Sequence, residues 1–247
     1  MKQFFIINIF LSTFFASVLF SNTFTSGENK VSLVELYTSQ GCSSCPPADE
    51  WLSDLKREDQ LFKKFIPLAF HVTYWNYIGW NDVFANSKND DRQKKYSRDI
   101  WKRNSVYTPQ FIIDTKEYRQ WFRNKNLPTF SNKYAGDLTV TLQKDNHLMI
   151  EYHNKNIKKK DVIIHIVLQG FDYSISIHRG ENSNKKLKHD FVVLKHIKRD
   201  SLIQDNKLKY KLKLPFEIRG NNRKALVVWI SDKNYTQLQA VGNYITY

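Results

Sequence analysis

The sequence predicts an α/β domain followed by an all-β, sandwich-like domain. Before Gly136, apolar runs that resemble strands alternate with segments of helical spacing. After Gly136 come about eight short alternating runs, such as "LTVTL" and "KALVVWIS", separated by Asn, Asp, Gly and Lys turns, and this spacing is typical of a β-sandwich. The predicted boundary between the two domains therefore lies between residues 136 and 137.

The first half is predicted to contain three buried strands, at residues 31–37, 66–72 and 110–114. Each is an apolar run bounded by polar or turn residues, which is the pattern of a buried strand. The segment "NDDRQKKYSRDIWKRN" between the second and third strands is polar, with Tyr96 and Ile100 at helical spacing. We therefore expect a helical insertion in the connection between these two strands.

A helix is predicted to begin beside the motif "CSSC", which follows the first strand. Pro46 and Pro47 are tolerated in a first helical turn, and the acidic side chain of Asp49 suits the positive end of a helix dipole. The order of strand, C-x-x-C and helix therefore places both cysteines at a helix start.

The N-terminus is predicted to be a signal peptide over residues 1–26. One early cation, Lys2, precedes an uncharged apolar stretch from Phe4 to Phe20, which is the arrangement of a secretory signal. An uncleaved membrane anchor is the alternative, because about 17 apolar residues is close to the shortest helix that spans a bilayer. No later segment is apolar enough for a span. We therefore expect a protein that is exported to the periplasm or the extracellular space and has no membrane contact after cleavage.

The net charge of +14 does not by itself indicate nucleic-acid binding. The basic residues are dispersed along the chain, and in "KLKYKLKLP" the alternation puts every lysine from Lys207 to Lys213 on one solvated face. We therefore do not expect nucleic acid among the partners.

Cys42 and Cys45 are the two cysteines of the chain. In an exported protein, an even number of cysteines indicates a disulfide. A bridge across two intervening residues closes a very small loop, and loop-closure models give it little stabilisation compared with about 3 kcal/mol for a loop of about 15 residues. The spacing therefore favours chemistry over a structural staple.

We predict that Cys42 is an exposed attacking sulfur and that Cys45 is the resolving sulfur. Backbone N–H groups and the positive dipole at a helix start favour a thiolate, and reactive cysteines in such surroundings have pKa values of roughly 3.5 to 7.5. Attack by Cys42 on a partner forms a mixed disulfide, which Cys45 then resolves. The hydroxyl groups of Ser43 and Ser44 are placed to hydrogen-bond the thiolate.

Thr108 and Pro109 enter the third strand and form the second part of the predicted site. In thioredoxin-like folds, a loop that ends in a cis proline lies against the cysteine pair, and its backbone pairs with the bound substrate chain. We therefore expect a cis peptide bond before Pro109 and a loop that holds the partner. The predicted fold class is an α/β thioredoxin-like domain at residues 27–136, with a helical insertion, followed by an all-β sandwich-like domain at residues 137–247.

A family resemblance rests on several segments: "VELYTSQGCSSCPPADEWL", "AFHVTYWNYIGWNDVFA", "RQKKYSRDI", "SVYTPQFIID" and "RGENSNKKLKHDFVV". They are similar to exported bacterial proteins that carry only the label domain of unknown function 1223 and are assigned a thioredoxin-like fold. The resemblance implies a fold and a cysteine pair rather than a substrate. Members have H-V-D-Y-W-D where this chain has Thr73 and Asn76, so a proton-handling role for those carboxylates is not expected here.

Aromatic residues after the second strand are predicted to bind the partner. Trp75 and Trp80 lie among polar and glycine neighbours, which indicates a surface loop over the disulfide. His71 is interpreted as a core residue. Residues 179–182, "RGEN", are interpreted as a turn between strands, with the alternative that this loop approaches the cysteines.

No metal site and no cofactor are predicted. A metal site needs three or four ligands, and one C-x-x-C with scattered histidines, of which His71 is the nearest, does not supply them. Glycine-rich phosphate loops and nucleophilic serine elbows are also absent from the sequence.

The leading hypothesis is an exported thiol–disulfide oxidoreductase that acts on protein or small-molecule thiols. A non-catalytic, thioredoxin-like envelope binding or assembly protein with a permanent structural disulfide is the alternative, and a metal carrier is a third interpretation. The sequence leaves open the direction of the redox reaction, the oligomeric state and the role of the β domain.

Overall fold

The computed structural model describes residues 22–124 and 127–246. Its main feature is one mixed sheet of 12 strands, and a separate sheet has two strands. Strands account for 44% of the structure and helices for 14%, so the protein is mostly β.

The strands are β1 (Asn22–Thr25), β2 (Ser32–Thr38), β3 (Phe65–His71), β4 (Gln110–Ile113), β5 (Lys116–Glu117), β6 (Asp137–Leu142), β7 (His147–His153), β8 (Lys159–Gly170), β9 (Tyr173–Ser176), β10 (Lys186–His189), β11 (Val192–Gln204), β12 (Lys207–Lys213), β13 (Lys224–Ser231) and β14 (Gln237–Ile245). The α-helices are α1 (Pro46–Asp54), α2 (Ser87–Lys95) and α3 (Trp121–Asn124). Short 3₁₀ turns cover Leu55–Arg57 and Asn76–Ile78, and a π-helical turn covers Tyr96–Ile100.

The elements that the local patterns predict are present. β2, β3 and β4 correspond to the three predicted strands of the first half, and α2 lies in the expected insertion. α1 begins directly after Cys45, as the prolines predict. The alternating run from Lys207 to Lys213 forms β12, and all of its lysines are exposed. Local periodicity and turn chemistry therefore identify most of the elements.

The strand order contradicts the predicted fold class. The sheet runs β1-β6-β7-β12-β11-β3-β2-β4-β5, and β8, β13 and β14 extend it from β11. β3 and β11 pair in parallel at Ala69 and Val192, so strands from both halves of the chain form one sheet. The prediction of an α/β thioredoxin-like domain followed by an all-β sandwich-like domain is therefore wrong. Periodicity identifies a strand but not its neighbour, and the boundary between residues 136 and 137 stays a prediction.

The central strands are buried along their whole length. All 7 residues of β2, all 7 of β3 and all 8 of β13 are buried, as expected for apolar strands that are covered on both faces. Trp51, Leu52 and Leu55 of the α1 region pack into a core cluster with residues of β2, β3 and β4. This packing fixes α1, and the cysteines in front of it, at the carboxyl end of β2.

The predicted signal peptide lies largely outside the described residues. The first described segment, Asn22–Thr25, forms β1, which pairs with β6 in antiparallel register. Phe24 of this strand is buried in the core. Within residues 22–124 and 127–246, no helix is long and apolar enough to cross a membrane.

Candidate functional site

Cys42 and Cys45 form a disulfide in the loop between β2 and α1, with their Cα atoms 5.4 Å apart. Cys45 is the N-cap residue of α1, and its carbonyl oxygen accepts backbone hydrogen bonds from Ala48 (2.9 Å) and Asp49 (3.1 Å). The two prolines at the first helical positions have a backbone angle that suits a helix start, but they carry no N–H group. The helix start therefore offers fewer N–H donors to a thiolate than the order of strand, C-x-x-C and helix predicts.

Thr108 and Pro109 lie against the disulfide. The carbonyl oxygen of Thr108 is 3.9 Å from the sulfur of Cys42, and the Thr108–Pro109 peptide bond is cis, as expected. Nε1 of Trp75 donates a hydrogen bond to Oγ1 of Thr108 at 2.7 Å, and Oγ of Ser44 is 3.3 Å from the Cys42 sulfur. Thr108 and Ser44 thus lie beside the Cys42 sulfur, and Trp75 is bonded to Thr108. The role of Thr108, Pro109 and Trp75 in binding a partner stays a prediction.

Trp80 occupies a different position from Trp75. Its Nε1 donates a hydrogen bond to Oε1 of Gln40 at 2.9 Å, and its ring centroid is 6.0 Å from that of His178. Gln40 lies two residues before Cys42 in the sequence. Trp80 therefore supports the loop that carries the first cysteine.

Both cysteines are fully buried, with 0% of either residue exposed, so the prediction of an exposed Cys42 is wrong. The intervening Ser43 and Ser44 are exposed. Residues 179–183, between β9 and β10, lie on the cysteine loop, and we call them the covering loop. The alternative that "RGEN" approaches the cysteines is confirmed. The preferred interpretation as an ordinary turn misses this contact, because a turn sequence carries no information about distant residues.

Side chains of the covering loop bind the backbone of the cysteine loop. Oε2 of Glu181 accepts a hydrogen bond from the backbone N–H of Ser43 at 3.0 Å. Nδ2 of Asn182 donates to the carbonyl oxygens of Gln40 and Cys42, both at 2.9 Å. Asn182 is fully buried, so these two bonds are shielded from water.

A groove of about 770 Å³ lies beside the cysteine loop. The residues that line it are Ser44, Tyr107, Pro109, Arg119, Gln120, Trp121, Phe122 and Arg123. Phe122 is 57% exposed, so part of the aromatic lining is open to solvent. The groove offers apolar surface and two guanidinium groups to a bound chain.

Buried polar side chains form a cluster behind the cysteine helix. Nδ1 of His71 is 2.7 Å from Oδ2 of Asp82, and Thr38 donates a hydrogen bond to Oδ2 of Asp49 at 3.0 Å. One potential metal-ligand atom from each of Asp49, His71 and His189 lies within 4.8 Å of the others. His71 is buried, as interpreted from the sequence, but it belongs to this polar cluster.

Burial and mutual charge set the protonation of the cluster. Burial raises the pKa of Asp49 to about 7, and burial together with the charge of His71 lowers the pKa of His189 to about 3. Burial opposes charge on His71 and Asp82 as well, but their attraction and hydrogen bond outweigh it. The pKa of His71 is therefore raised and that of Asp82 lowered. His189 is therefore neutral at neutral pH, and the attraction between His71 and Asp82 favours the charged form of each.

Sequence reasoning does not identify Asp82 and His189 as site residues. Asp82 lies in the loop after the 3₁₀ turn Asn76–Ile78, and His189 lies at the end of β10. No spacing motif in the sequence connects these two residues with Asp49 or His71. The one available signal in the sequence is that His71 and His189 each end a strand-like segment. A histidine buried at such a position requires a polar partner. The fold alone brings the cluster together.

Comparison with known proteins identifies the family. The family model described as "Protein of unknown function (DUF1223)" matches residues 33–231, which confirms the resemblance to this family but not a thioredoxin-like fold. A search of the curated proteins finds no match. The chain belongs to the DUF1223 family.

Two solved structures of bacterial proteins have a similar fold. An X-ray structure of a protein from Agrobacterium tumefaciens has 22% sequence identity and a TM-score of 0.58, and the match covers 87% of this chain and 93% of that one. HBP35 of Porphyromonas gingivalis has 14% identity and a TM-score of 0.55, with 89% and 76% covered. At these identities the likeness shows the fold alone.

Proposed function

We propose that this member of the DUF1223 family catalyses thiol–disulfide exchange through Cys42 and Cys45. The observation that carries the proposal is the position of the Cys42 sulfur. It lies 3.3 Å from Oγ of Ser44 and 3.9 Å from the carbonyl oxygen of Thr108, next to a groove that Ser44 and Pro109 line. A partner chain in this groove brings its own sulfur close to the disulfide.

The disulfide has little value as a structural staple. It joins residues with a sequence separation of 3, and such a loop gains far less than the roughly 3 kcal/mol that loop-closure models assign to a loop of about 15 residues. Apolar packing of Trp51, Leu52 and Leu55 against the sheet holds α1 in place instead. The bond between the sulfurs is therefore dispensable for the fold and available for chemistry.

The reaction begins from the disulfide form of the protein. A partner thiolate attacks the sulfur of Cys42, the Cys42–Cys45 bond breaks, and its electron pair leaves on Cys45 as a thiolate. A second partner thiolate attacks the partner sulfur of the mixed disulfide and releases Cys42 as a thiolate. The partner leaves as a disulfide after losing two electrons, and its two thiol protons pass through solvent to the cysteines. The reverse direction uses the same bonds.

The covering loop has to move before a partner reaches Cys42. Asn182 holds the carbonyl oxygens of Gln40 and Cys42, and each such hydrogen bond contributes about 0.5–1.5 kcal/mol. The bond from Ser43 to Glu181 is exposed to solvent. Opening therefore breaks a few modest interactions and leaves the sheet intact.

The groove composition indicates the class of partner. Arg119 and Arg123 attract acidic groups, and Tyr107, Trp121 and Phe122 provide aromatic surface for apolar side chains. Protein thiols in an extended segment fit this lining, and small thiols fit the same space. We place the protein outside the cytosol, in the periplasm or the extracellular space, because a disulfide persists there.

Trapping of mixed disulfides tests the exchange. In the reverse direction the Cys42 thiolate attacks a partner disulfide and Cys45 then resolves the mixed disulfide. The variant Cys45→Ser keeps the first step and removes the second, so we expect it to accumulate covalent partners through Cys42. They are identified by mass spectrometry after rapid thiol alkylation of cells. The matched control is the double variant with Cys42→Ser and Cys45→Ser, which should trap nothing. The proposal fails if the single variant also traps nothing and dithiols do not reduce the wild-type disulfide.

A non-catalytic envelope binding or assembly protein with a structural disulfide is the second candidate. The complete burial of both cysteines favours it. Reduction potential separates the two functions, because structural disulfides lie below about −300 mV, whereas exchange proteins lie between about −120 and −270 mV. We expect the second range when the protein is equilibrated with dithiol buffers and the alkylated forms are quantified.

A further inference from the structure

We propose that Asp49, His71 and His189 bind a divalent transition-metal ion behind the disulfide. One potential ligand atom from each side chain lies within 4.8 Å of the other two. All three residues are buried, with 6%, 1% and 2% of their surface exposed. The site contains neither cysteine, so the proposal does not depend on thiol–disulfide exchange.

Three separate elements supply the ligands. Asp49 lies in the first turn of α1, His71 ends β3 and His189 ends β10. β10 follows the covering loop in the chain. An ion at this position therefore joins the cysteine helix, the central sheet and the hairpin that carries the covering loop.

Unpartnered ring nitrogens are the observation that points to a ligand. Nδ1 of His71 is hydrogen-bonded to Oδ2 of Asp82 at 2.7 Å. The buried Nε2 of His71 has no hydrogen-bond partner among the described residues. Nε2 of His189 lies 3.4 Å from the side-chain amide of Gln40, and its buried Nδ1 also lacks a described partner. An unsatisfied buried polar atom is costly, and coordination to a metal satisfies both nitrogens at once.

The surroundings of His71 are those of a metal ligand. Its second ring nitrogen is bound to the carboxylate of Asp82, and metal-binding histidines usually pair their other nitrogen with a carboxylate or carbonyl in this way. The ring of Phe84 lies against both imidazoles, with centroids 5.3 Å from His71 and 5.8 Å from His189. An apolar wall of this kind limits the access of solvent to a bound ion.

Charge balance favours a divalent cation. Asp82 is paired with His71, whereas Asp49 is a buried carboxylate that forms no ion pair with lysine or arginine in the described part of the chain. Buried charges are normally paired or coordinate a metal. A divalent ion with two neutral imidazoles neutralises both carboxylates. The competing arrangement is a metal-free cluster in which protonated His71 lies between them.

The donor set of two imidazoles and one carboxylate fits zinc. Zinc binds these ligands at about 2.0–2.2 Å and is usually tetrahedral, so neighbouring ligand atoms in a zinc site lie about 3.4 Å apart. Ligand atoms that lie farther apart than this, within the 4.8 Å limit, have to approach one another around the ion, and a water molecule takes the fourth position. Imidazole also suits iron and copper, and the carboxylate with the tetrahedral preference is what favours zinc here.

Zinc loading of the intact protein is the primary test. Because the ligands are buried, the wild-type protein with its disulfide intact is refolded in the presence of zinc and then passed through a desalting column. We expect about one zinc per chain by elemental mass spectrometry, and zinc-edge X-ray absorption should show a shell of nitrogen and oxygen without sulfur. Absence of retained zinc, or a shell that contains sulfur, overturns the proposal.

Variants locate the ion. His189→Gln and Asp49→Asn should each lose zinc and also lose the zinc-dependent rise in melting temperature that the wild-type protein shows. The matched control is His147→Gln, which removes an exposed histidine paired with Asp145 and should keep full zinc content. If the His147 control loses its zinc and the His189 variant keeps it, the zinc binds at the protein surface. That result contradicts the proposed buried site.

A cysteine-free variant separates this proposal from the proposed function. With Cys42→Ser and Cys45→Ser together, thiol–disulfide exchange is impossible, but zinc content should remain at about one per chain. If the His189 and Asp49 variants do not fold, the zinc-edge X-ray absorption spectrum of the wild-type protein still tests the proposal. A shell of nitrogen and oxygen supports the site, and the absence of such a shell overturns it.

Discussion

Glu35 and Arg92 show how single side chains attach the helical insertion to the sheet. Nη2 and Nε of Arg92 donate to the two carboxylate oxygens of Glu35 at 2.6 and 2.9 Å. The hydroxyl groups of Tyr37 and Tyr96 donate to the same carboxylate at 2.9 and 2.8 Å. Both charged residues are buried. The pair therefore fixes α2 on β2 through charges that have no access to water.

Removal of one partner of this pair should destabilise the protein strongly. We expect Arg92→Met or Glu35→Gln to lower the free energy of unfolding by about 3–5 kcal/mol, because the remaining group is left buried without its partner. Denaturant unfolding followed by tryptophan fluorescence measures the change. The double variant should lose less than the sum of the single changes.

The exposed pair of Lys209 and Glu151, at 2.8 Å, provides the matched control for this prediction. Glu151→Gln should leave the unfolding midpoint almost unchanged, because water solvates the remaining lysine. A Glu35 variant as stable as the Glu151 variant would contradict the role of the buried pair.

The covering loop lies on the cysteine loop that carries the disulfide. It lies between β9 and β10, which form a two-stranded sheet separate from the large one. Its attachment to the cysteine loop depends on Glu181 and Asn182. Because β10 pairs only with β9 among the described strands, displacement of the loop breaks no hydrogen bond of the large sheet.

Loss of the Asn182 side chain should speed reduction of the disulfide. We expect Asn182→Ala to raise the rate of reduction by dithiothreitol roughly tenfold, since two hydrogen bonds of about 0.5–1.5 kcal/mol each are removed. Alkylation of the released thiols at timed intervals measures the rate. Lys186→Ala, an exposed change on β10, should leave it unchanged. A rate in the Asn182 variant equal to that of wild type would show that the loop does not limit access.

His165 and His196 form a stack with Trp229 across β8, β11 and β13. The rings of His165 and Trp229 are nearly parallel, with centroids 4.5 Å apart, and Nδ1 of His165 is 3.1 Å from Nε2 of His196. Burial, and then the charges of neighbouring cations such as Arg92 and Lys198, lower the pKa of His165 well below its ordinary value. The folded protein therefore keeps this imidazole neutral.

This stack should make the protein less stable in mild acid. The unfolded chain takes up a proton on His165 as the pH falls through about 6.5, whereas the folded chain does not. The free energy of unfolding should therefore fall below that pH by up to about 1.4 kcal/mol per pH unit for this group. Denaturant titrations between pH 7.5 and about 5 measure the slope, and His165→Gln should reduce it. An unchanged slope in the variant would rule out this contribution.

The whole molecule is built on a sheet that crosses between the two halves of the sequence. β3 lies between β2 and β11, and the backbone N–H of Ala69 donates to the carbonyl oxygen of Phe191 at 2.9 Å. Gln237 and Gln239 of β14 bind backbone groups of Val31 and other residues at the start of β2. The cysteine-bearing half thus shares backbone and side-chain hydrogen bonds with strands of the C-terminal half.

A shared sheet predicts one cooperative unfolding transition. Differential scanning calorimetry of the full chain, with the disulfide intact, should give a single peak whose calorimetric and van't Hoff enthalpies agree. Two separated peaks would instead support two independently stable units with a boundary near residue 136.

Local sequence patterns determined the strands, the helix start after Cys45 and the position of Thr108 and Pro109 before a strand, because periodicity, proline geometry and turn chemistry act over a few residues. The same information identified the family. Tertiary structure alone decided that β11 pairs with β3 and that Asn182 hydrogen-bonds the carbonyl oxygen of Cys42. It also decided that His189 and Asp49 lie close together. The physical reason is that strand pairing and burial depend on which distant surfaces exclude water together, and the local sequence does not specify those partners.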